Sequence, residues 1–291
     1  MEEQSCSSKK IIDNGNTILP IKYVLEVILM DILVCIKQVP GTSKVEVDPV
    51  TGVLKRDGID TKMNPYDLYA LEAALSIKEK KGGSVKVISM GPPQAMDVIK
   101  EAYMMGADEG ALISDRKFAG ADVLATAYTI SQGVRKMAPY DLILCGKQTT
   151  DGDTAQVGPE MAEYLGIPHI ANVIDIIELK EHSIVVTMDM PNTIERVEVQ
   201  YPCLLTVEKD INQPRLPSYK KKIETKDKDI KVISLKNFED QNENRYGLNG
   251  SPTQVERIFP PVHDIKREKF EGTGEEVGRQ IADKLKELKF V

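Results

Sequence analysis

Leu142-Ile-Leu-Cys-Gly-Lys-Gln-Thr-Thr-Asp-Gly-Asp-Thr-Ala-Gln-Val-Gly-Pro159 decides how the rest of this chain is read. The apolar run Leu142 to Cys145 has the length and composition of a buried strand. It breaks at Gly146 into a loop of small and hydroxyl residues, and an amphipathic segment, Thr154 to Leu165, follows with Val157, Met161, Tyr164 and Leu165 on one side. A strand, a small-residue loop and a helix start together present backbone N–H groups to an anion. Gly146 and Gly152 permit close backbone approach, and Thr149, Thr150 and Thr154 add hydroxyl donors. Neither G-x-x-x-x-G-K-[ST] nor G-x-G-x-x-G is present. Asp151 and Asp153 would repel a phosphate, so Asp153 is read as a helix cap and Asp151 as an acceptor for a sugar or adenine. The plain alternative is an ordinary strand-to-helix turn with a capping Asp.

Working outward, the same alternation recurs. Ile32 to Ile36 is a strand, and Val45–Asp48 and Val53–Arg56 flank a turn as a small hairpin. Asn64-Pro65 opens a helix with Asn as cap and Pro at its first position, burying Leu68, Leu71, Ala74 and Leu75 and ending near Lys78 to Lys81. Strands at Val85–Met90 and Gly110–Ile113 alternate with helices at Gln94–Met105 and about Ala121–Met137. Such alternation predicts an α/β fold with a mainly parallel sheet covered on both faces. Right-handed crossovers then bring Cys35, Lys37, Met90, Gly91 and Gly146 to Gln156 to one edge, where open α/β sheets bind ligands.

After Pro168 the pattern shortens to strands at Val173–Leu179, Ser183–Thr187, Arg196–Gln200 and Leu204–Val207, with Met188 to Asn192 as a turn. These are expected to extend the same sheet in antiparallel fashion. Glu208 to Asp229 is charged and Pro-containing, which predicts a long exposed excursion. Lys231 to Ser234 is expected to add one more strand, and the helix from about Gly274 to Leu288 carries Val277, Ile281, Leu285 and Leu288 on one face. The domain reading is therefore an N-terminal extension over 1–29, an α/β domain over 30–207, a loop over 208–230, and a final strand and arm over 231–291.

Composition narrows the function. The 291 residues carry net charge −7, with a pI near 5.3, which argues against nucleic acid and against an anionic membrane surface as partners. Cys6, Cys35, Cys145 and Cys203 form no metal-ligand spacing, and three lie in apolar runs, the pattern of reduced thiols in a cytoplasmic protein. His169, His182 and His263 are far apart, giving little support to a metal site. Ile18 to Met30 is too short to span a bilayer, and the leader lacks the features of a signal peptide. Met30 is read as the natural start.

Five pieces of the chain resemble one family, the β subunit of electron-transfer flavoproteins. They are Leu33-Val-Cys-Ile-Lys37, Lys62-Met-Asn-Pro65, Ser89-Met-Gly-Pro92, Met105-Gly-Ala-Asp108, and Gly146-Lys-Gln with Asp151-Gly-Asp-Thr-Ala-Gln156. The resemblance runs from about Met30 to Val291 and implies an α/β fold related to adenine-nucleotide-binding domains. It implies a cofactor site at Cys35, Asn64, Pro65, Tyr66, Asp67, Met90, Gly146, Lys147, Gln148, Thr149, Thr150, Asp151, Gly152, Asp153, Thr154, Ala155, Gln156 and Val157, with Asp122 and Thr126 as additional contacts.

In ordinary members that site holds AMP; in bifurcating members FAD replaces it and exchanges hydride with NAD(H). Ala155, where many AMP-binding members carry Asn, and Thr51-Gly-Val-Leu-Lys-Arg-Asp-Gly58 resemble the bifurcating group and imply FAD. No catalytic acid, base or nucleophile follows, because flavin carries the redox chemistry itself. The chain departs from the family at Met188 and Pro191-Asn192-Thr193, so no charge contact is carried over there, while Glu195, Pro202 and Thr206 match. That departure, Gly41-Thr-Ser and Ser251 to Pro261 look most like the β subunit paired with an FAD-dependent lactate dehydrogenase in acetogens. The implied partners are an α subunit wrapped by the C-terminal arm, a lactate or acyl-CoA dehydrogenase docked on Pro214 to Lys222, and ferredoxin through the complex.

Overall fold

The computed structural model describes residues 29–41, 60–256 and 267–291. The expected hairpin over Val45–Arg56 and the leader lie outside the described residues. Among those described, residues through Gln254 form one compact unit, and the later ones belong to a second.

The first unit is built on a nine-stranded sheet of order β11-β5-β4-β1-β6-β10-β7-β8-β9. Its centre is β1 (Met30–Cys35), flanked in parallel by β4 (Gly83–Met90) and β6 (Leu142–Gly146). From β4 the sheet continues through β5 (Glu109–Ile113) to β11 (Lys231–Ile233), and from β6 through β10 (Cys203–Val207) to β7 (His169–Leu179), all parallel. Then β8 (Ser183–Met190) and β9 (Thr193–Gln200) add on antiparallel. The fold class is therefore mixed α/β with antiparallel additions, as the pattern predicts. A separate antiparallel pair, β2 (Gln38–Pro40) and β3 (Thr61–Met63), leads into the first helix.

Alternation along each strand sorts the core into two layers, because successive strand side chains point to opposite faces. Ile32, Val34, Val85, Val87, Leu144 and Leu205 pack against α1 (Pro65–Lys81) and α2 (Met96–Met105). Leu33, Ile88, Ile143 and Leu204 pack against α3 (Val123–Arg135) and α4 (Val157–Leu165). Each fully buried Leu or Ile contributes about 1.5–3 kcal/mol of transfer free energy.

Three expectations need correction. The amphipathic segment from Thr154 becomes helical only at Val157, because Asp153 and Ala155 hold left-handed backbone (φ 53° and 56°) that cannot continue a right-handed helix. The turn expected over Met188–Asn192 is confined to Pro191-Asn192, since Met188 to Met190 pair in register with Glu195 to Thr193.

The third concerns strand direction: of the later strands expected to add antiparallel, β7 and β10 pair in parallel, with β10 between β6 and β7. The 208–229 segment is exposed, as expected, and it is fastened to α1. Arg215 forks onto two carboxylates of α1, with Nε 2.8 Å from Glu72 Oε2 and Nη1 2.6 Å from Glu79 Oε1. The Asn212 amide donates to the Tyr69 carbonyl at 2.9 Å. Burial pushes the Glu72 carboxyl upward, but the guanidinium and backbone N–H of Arg215 overcome it and hold the group below its ordinary value. The loop then forms the short helix α5 (Tyr219–Glu224) against α2. Downstream, Leu235, Phe238 and Tyr246 pack onto the α3 layer, with the Phe118 and Phe238 rings stacked 5.5 Å apart.

The second unit contributes α6 (Gly274–Glu287), opened by a Thr273–Glu276 capping box. Its apolar residues Ile281 and Leu285 are exposed. Among the described residues no helix is long and apolar enough to cross a membrane.

Replacing Arg215 with Ala leaves the Glu72 carboxylate buried beside α1 without its cation. A loss of about 1–3 kcal/mol in urea unfolding is expected for a partly exposed pair of this kind. Trypsin should also cut faster at Lys220 to Lys222, and an unchanged cutting rate would show that the clasp does not hold the segment.

Candidate functional site

Strand order reverses direction between β1 and β6, and the crevice beyond their C-terminal ends is where doubly wound sheets receive ligands. Cys35 and Cys145 lie side by side at that edge. Gly146 ends β6, and the chain leaves it under a tight constraint. A Cβ there would lie 2.5 Å from Asp67 Oδ1 and 2.7 Å from the Tyr66 carbonyl carbon, so glycine is what lets the first turn of α1 seat against the strand end.

Two buried side chains from the start of α1 brace this crevice. Asn64 occupies the N-cap position, yet its side chain caps nothing. Instead its amide donates to the Gln148 carbonyl at 2.9 Å, and its Oδ1 accepts from the Thr150 N–H at 3.2 Å. Asp67 accepts the Lys37 N–H at 2.8 Å. Asn64 also receives attention from β1, because its own N–H donates to the Lys37 carbonyl at 2.8 Å. Burial drives the Asp67 carboxyl up to about 7, against hydrogen bonds from Asn64, Lys37 and Gly146 and the positive charge of Lys37.

The loop above them turns through the Asp153 N–H to the Thr149 carbonyl at 2.9 Å. Thr150 to Thr154 are exposed, and no side chain caps the start of α4. Asp153 is therefore not the helix cap: its carboxylate takes the Gln148 side-chain amide, its backbone is left-handed, and the N-cap position belongs to Gln156. Ala155 holds the same conformation without the local hydrogen bonding that makes it tolerable for Asp, a strain of about 1–2 kcal/mol. Strain of this kind gathers at binding loops.

Of the residues expected at the site, Asn64, Asp67, Gly146, Gln148, Thr149, Thr150, Asp151 and Asp153 are joined by hydrogen bonds, with Pro65 and Tyr66 in the turn between, while Lys147 bonds to Val207 and Glu208 instead. Thr154 to Val157 complete the approach to α4. Met90 ends β4 on the far side of β1, and Thr126 sits half-buried in the first turn of α3; neither is linked to the loop by a hydrogen bond among the described residues. Asp122 is half-buried and bonded elsewhere. It caps α3 through the Ala125 N–H and accepts both the N–H and hydroxyl of Thr253, at 3.0 and 2.7 Å.

Sequence reasoning set Lys37 on this edge without giving it a role. Its Nζ lies 2.8 Å from Asp151 Oδ1, across the crevice. Burial raises the Asp151 carboxyl, and the Lys37 ammonium outweighs this and holds it below its ordinary value. Lys147 is likewise paired with Glu208. Lys37 follows the first strand directly, and that was the one available signal.

The arrangement fits a phosphate-bearing adenine ligand on chemical grounds: main-chain donors and threonine hydroxyls at an open loop, a braced base, and acceptors for a sugar or base edge. A Cβ at Gly152 would meet only Thr149 Oγ1, at 3.4 Å, so that position is open toward the ligand side.

The chain is similar to known proteins over most of its length. The electron transfer flavoprotein domain family matches residues 51–236. The electron transfer flavoprotein subunit beta of Clostridium acetobutylicum is 42% identical over 262 residues, covering 90% of this chain and 100% of that protein. The caffeyl-CoA reductase-Etf complex subunit CarD of Acetobacterium woodii is 44% identical over 262 residues, covering 89% and 98%. Protein FixA of Azorhizobium caulinodans is 41% identical over 239 residues, covering 80% and 85%.

The Asp67 carboxyl gives stability a pH dependence of defined sign. Its folded pKa of about 7 exceeds the ordinary 3.8, so the folded state holds the proton more tightly. Stability should fall as pH rises from about 4 to about 7 and then level off, by on the order of a few kcal/mol. Urea midpoints across that range should slope for the native chain and lie flatter for Asp67→Asn; equal slopes would place the buried charge elsewhere.

Proposed function

The chain belongs to the electron transfer flavoprotein family as a β subunit, and from that premise we propose that its β1/β6 crevice binds FAD and brings it within reach of NAD(H). β subunits of this family pair with an α subunit and serve dehydrogenase or reductase partners, and they are not catalytic alone. The observation that carries the cofactor assignment is the loop Gly146 to Val157, braced from below by Asn64 and Asp67. Its exposed main chain and hydroxyls would hold the phosphates, and Asn64 would keep the loop in shape whether or not a ligand is present. Bound there, FAD would supply two-electron hydride chemistry that no side chain of the loop can perform. The residues bind and orient.

Ala155 supports FAD over AMP, because it leaves the strained position without a side-chain amide. The 44% identity to a subunit of a caffeyl-CoA reductase-Etf complex supports work within a larger redox assembly. Within that reading, the partner is an FAD-dependent lactate dehydrogenase, with NAD and ferredoxin as the other electron carriers; an acyl-CoA dehydrogenase served by an AMP-holding subunit is the second reading.

The docking segment of this proposal is Pro214 to Lys222. Arg215 fixes its root on α1, while Leu216 (87% exposed) and Tyr219 (76%) project from it, and Ile223 (62%) is exposed just beyond its end. Large apolar side chains held out on a rigid root suit a partner's pocket. The exposed stripe of α6 is proposed to cover the α subunit.

Purification of the αβ pair followed by nucleotide analysis separates the two readings. FAD binding predicts flavin in excess of the α subunit's own and no AMP; a stoichiometric AMP release would sink it. Gly152→Val should remove the additional flavin with little change in thermal unfolding, since the new side chain meets open space in the protein and only obstructs the ligand. Retention of that flavin in the variant would move the cofactor away from this loop.

A further inference from the structure

We propose that Lys37 selects for phosphate at the β1/β6 crevice and that Asp151 competes with the ligand for it, so that this ion pair sets both affinity and discrimination. The inference rests on reading the crevice as a nucleotide site.

Lys37 is fixed at its backbone and free at its tip. Its N–H is held by Asp67 at 2.8 Å and its carbonyl by the Asn64 N–H at 2.8 Å. These bonds determine where the side chain starts. The side chain, still 42% exposed, reaches across to Asp151 in the loop after β6. An ammonium so placed lies against the loop after β6.

The charges around it are unevenly committed. Lys147, the other lysine of the strand ends, is occupied by Glu208. Asp153 is occupied by the Gln148 amide. Asp151 accepts from Thr149 as well as from Lys37, so it stays satisfied in part when the lysine leaves. A solvent-exposed pair of this kind is worth little and exchanges readily. A diphosphate offers Lys37 more charge and more acceptor oxygens than one carboxylate does. Partner exchange at Lys37 therefore favours phosphate-bearing ligands, while Asp151 lowers the gain and repels ligands that fail to engage the lysine.

The test is calorimetric titration of the full chain, freed of nucleotide, with ADP and with adenosine as probes. Lys37→Gln should weaken ADP about tenfold and leave adenosine unchanged, the loss of one charge-assisted contact. Lys37→Arg should retain most of the preference for ADP. Asp151→Asn should tighten ADP several-fold. Thermal unfolding of each variant reports any general damage to the fold. Equal weakening of both ligands by Lys37→Gln would make the pair a brace for the loop and overturn the proposal. So would weaker ADP binding by Asp151→Asn. If the native chain binds neither probe, the nucleotide reading itself fails and takes this inference with it; binding with no response to either substitution defeats the inference alone.

Discussion

A carboxylic acid and an amide buried beneath the ends of the two central strands hold the upper edge of this protein together. Asp67 and Asn64 have few other polar partners available, and water does not reach them. Each bond they make ties a different part of the chain: β1 through Lys37, the loop after β6 through Gln148 and Thr150, and α1 through their own backbone. A buried polar pair of this kind costs stability unless every partner is met. Hydrophobic groups in the same places would strengthen the core and leave the loop without a shape. The sheet is built from apolar alternation, but its ligand edge is built from polar bonds.

The outlying segments are fastened by the same means. Arg215 secures the 208–224 segment on Glu72 and Glu79, and Ser251 and Thr253 secure the end of the first unit on the N-terminus of α3. Neither attachment buries much apolar surface. Both fix the root of a stretch and leave its tip exposed, as with Leu216 and Tyr219 beyond Arg215. Such a segment keeps its position without being consumed by the core, which is what a surface made for another protein requires.

The sheet and its helices were legible in the sequence because period carries them. Ile32 to Ile36, Leu142 to Cys145 and the stripe of Leu71, Ala74 and Leu75 can be read from side-chain spacing alone. The later strands were legible from turn residues, but their direction was not: β7 and β10 pair in parallel, and only β8 and β9 add antiparallel. Long-range polar bonding has no such period. Nothing local to Glu72, a charged residue in a helix, announces that an arginine far along the chain will cover it. Asn64 followed by Pro65 reads as a helix cap, and the backbone agrees, yet the side chain is used elsewhere. Asp153 reads as a cap as well, and a positive φ at Asp153 and Ala155 removes it from that role. The loop after β6 is legible as the break in an apolar run, and the residues that shape it from below enter only through family resemblance.

That resemblance takes the form of short, scattered pieces, and the bonding explains why. Lys37, from the first piece, donates its N–H to Asp67 and accepts from Asn64 of the second. The third piece ends β4 beside β1, where the Gly91 N–H reaches the Ile113 carbonyl. In the fourth, Asp108 takes the Val85 N–H at 2.8 Å and the Lys78 ammonium, fixing where β4 begins. The fifth is the loop held by Asn64. A glycine-rich phosphate loop stores its geometry in one continuous motif. Here much of the shape comes from side chains contributed at a distance, so no single stretch is diagnostic. Four of the pieces become informative together because they meet at one edge of one sheet, and Met105 to Asp108 stands at the opposite edge, where β4 and β5 begin.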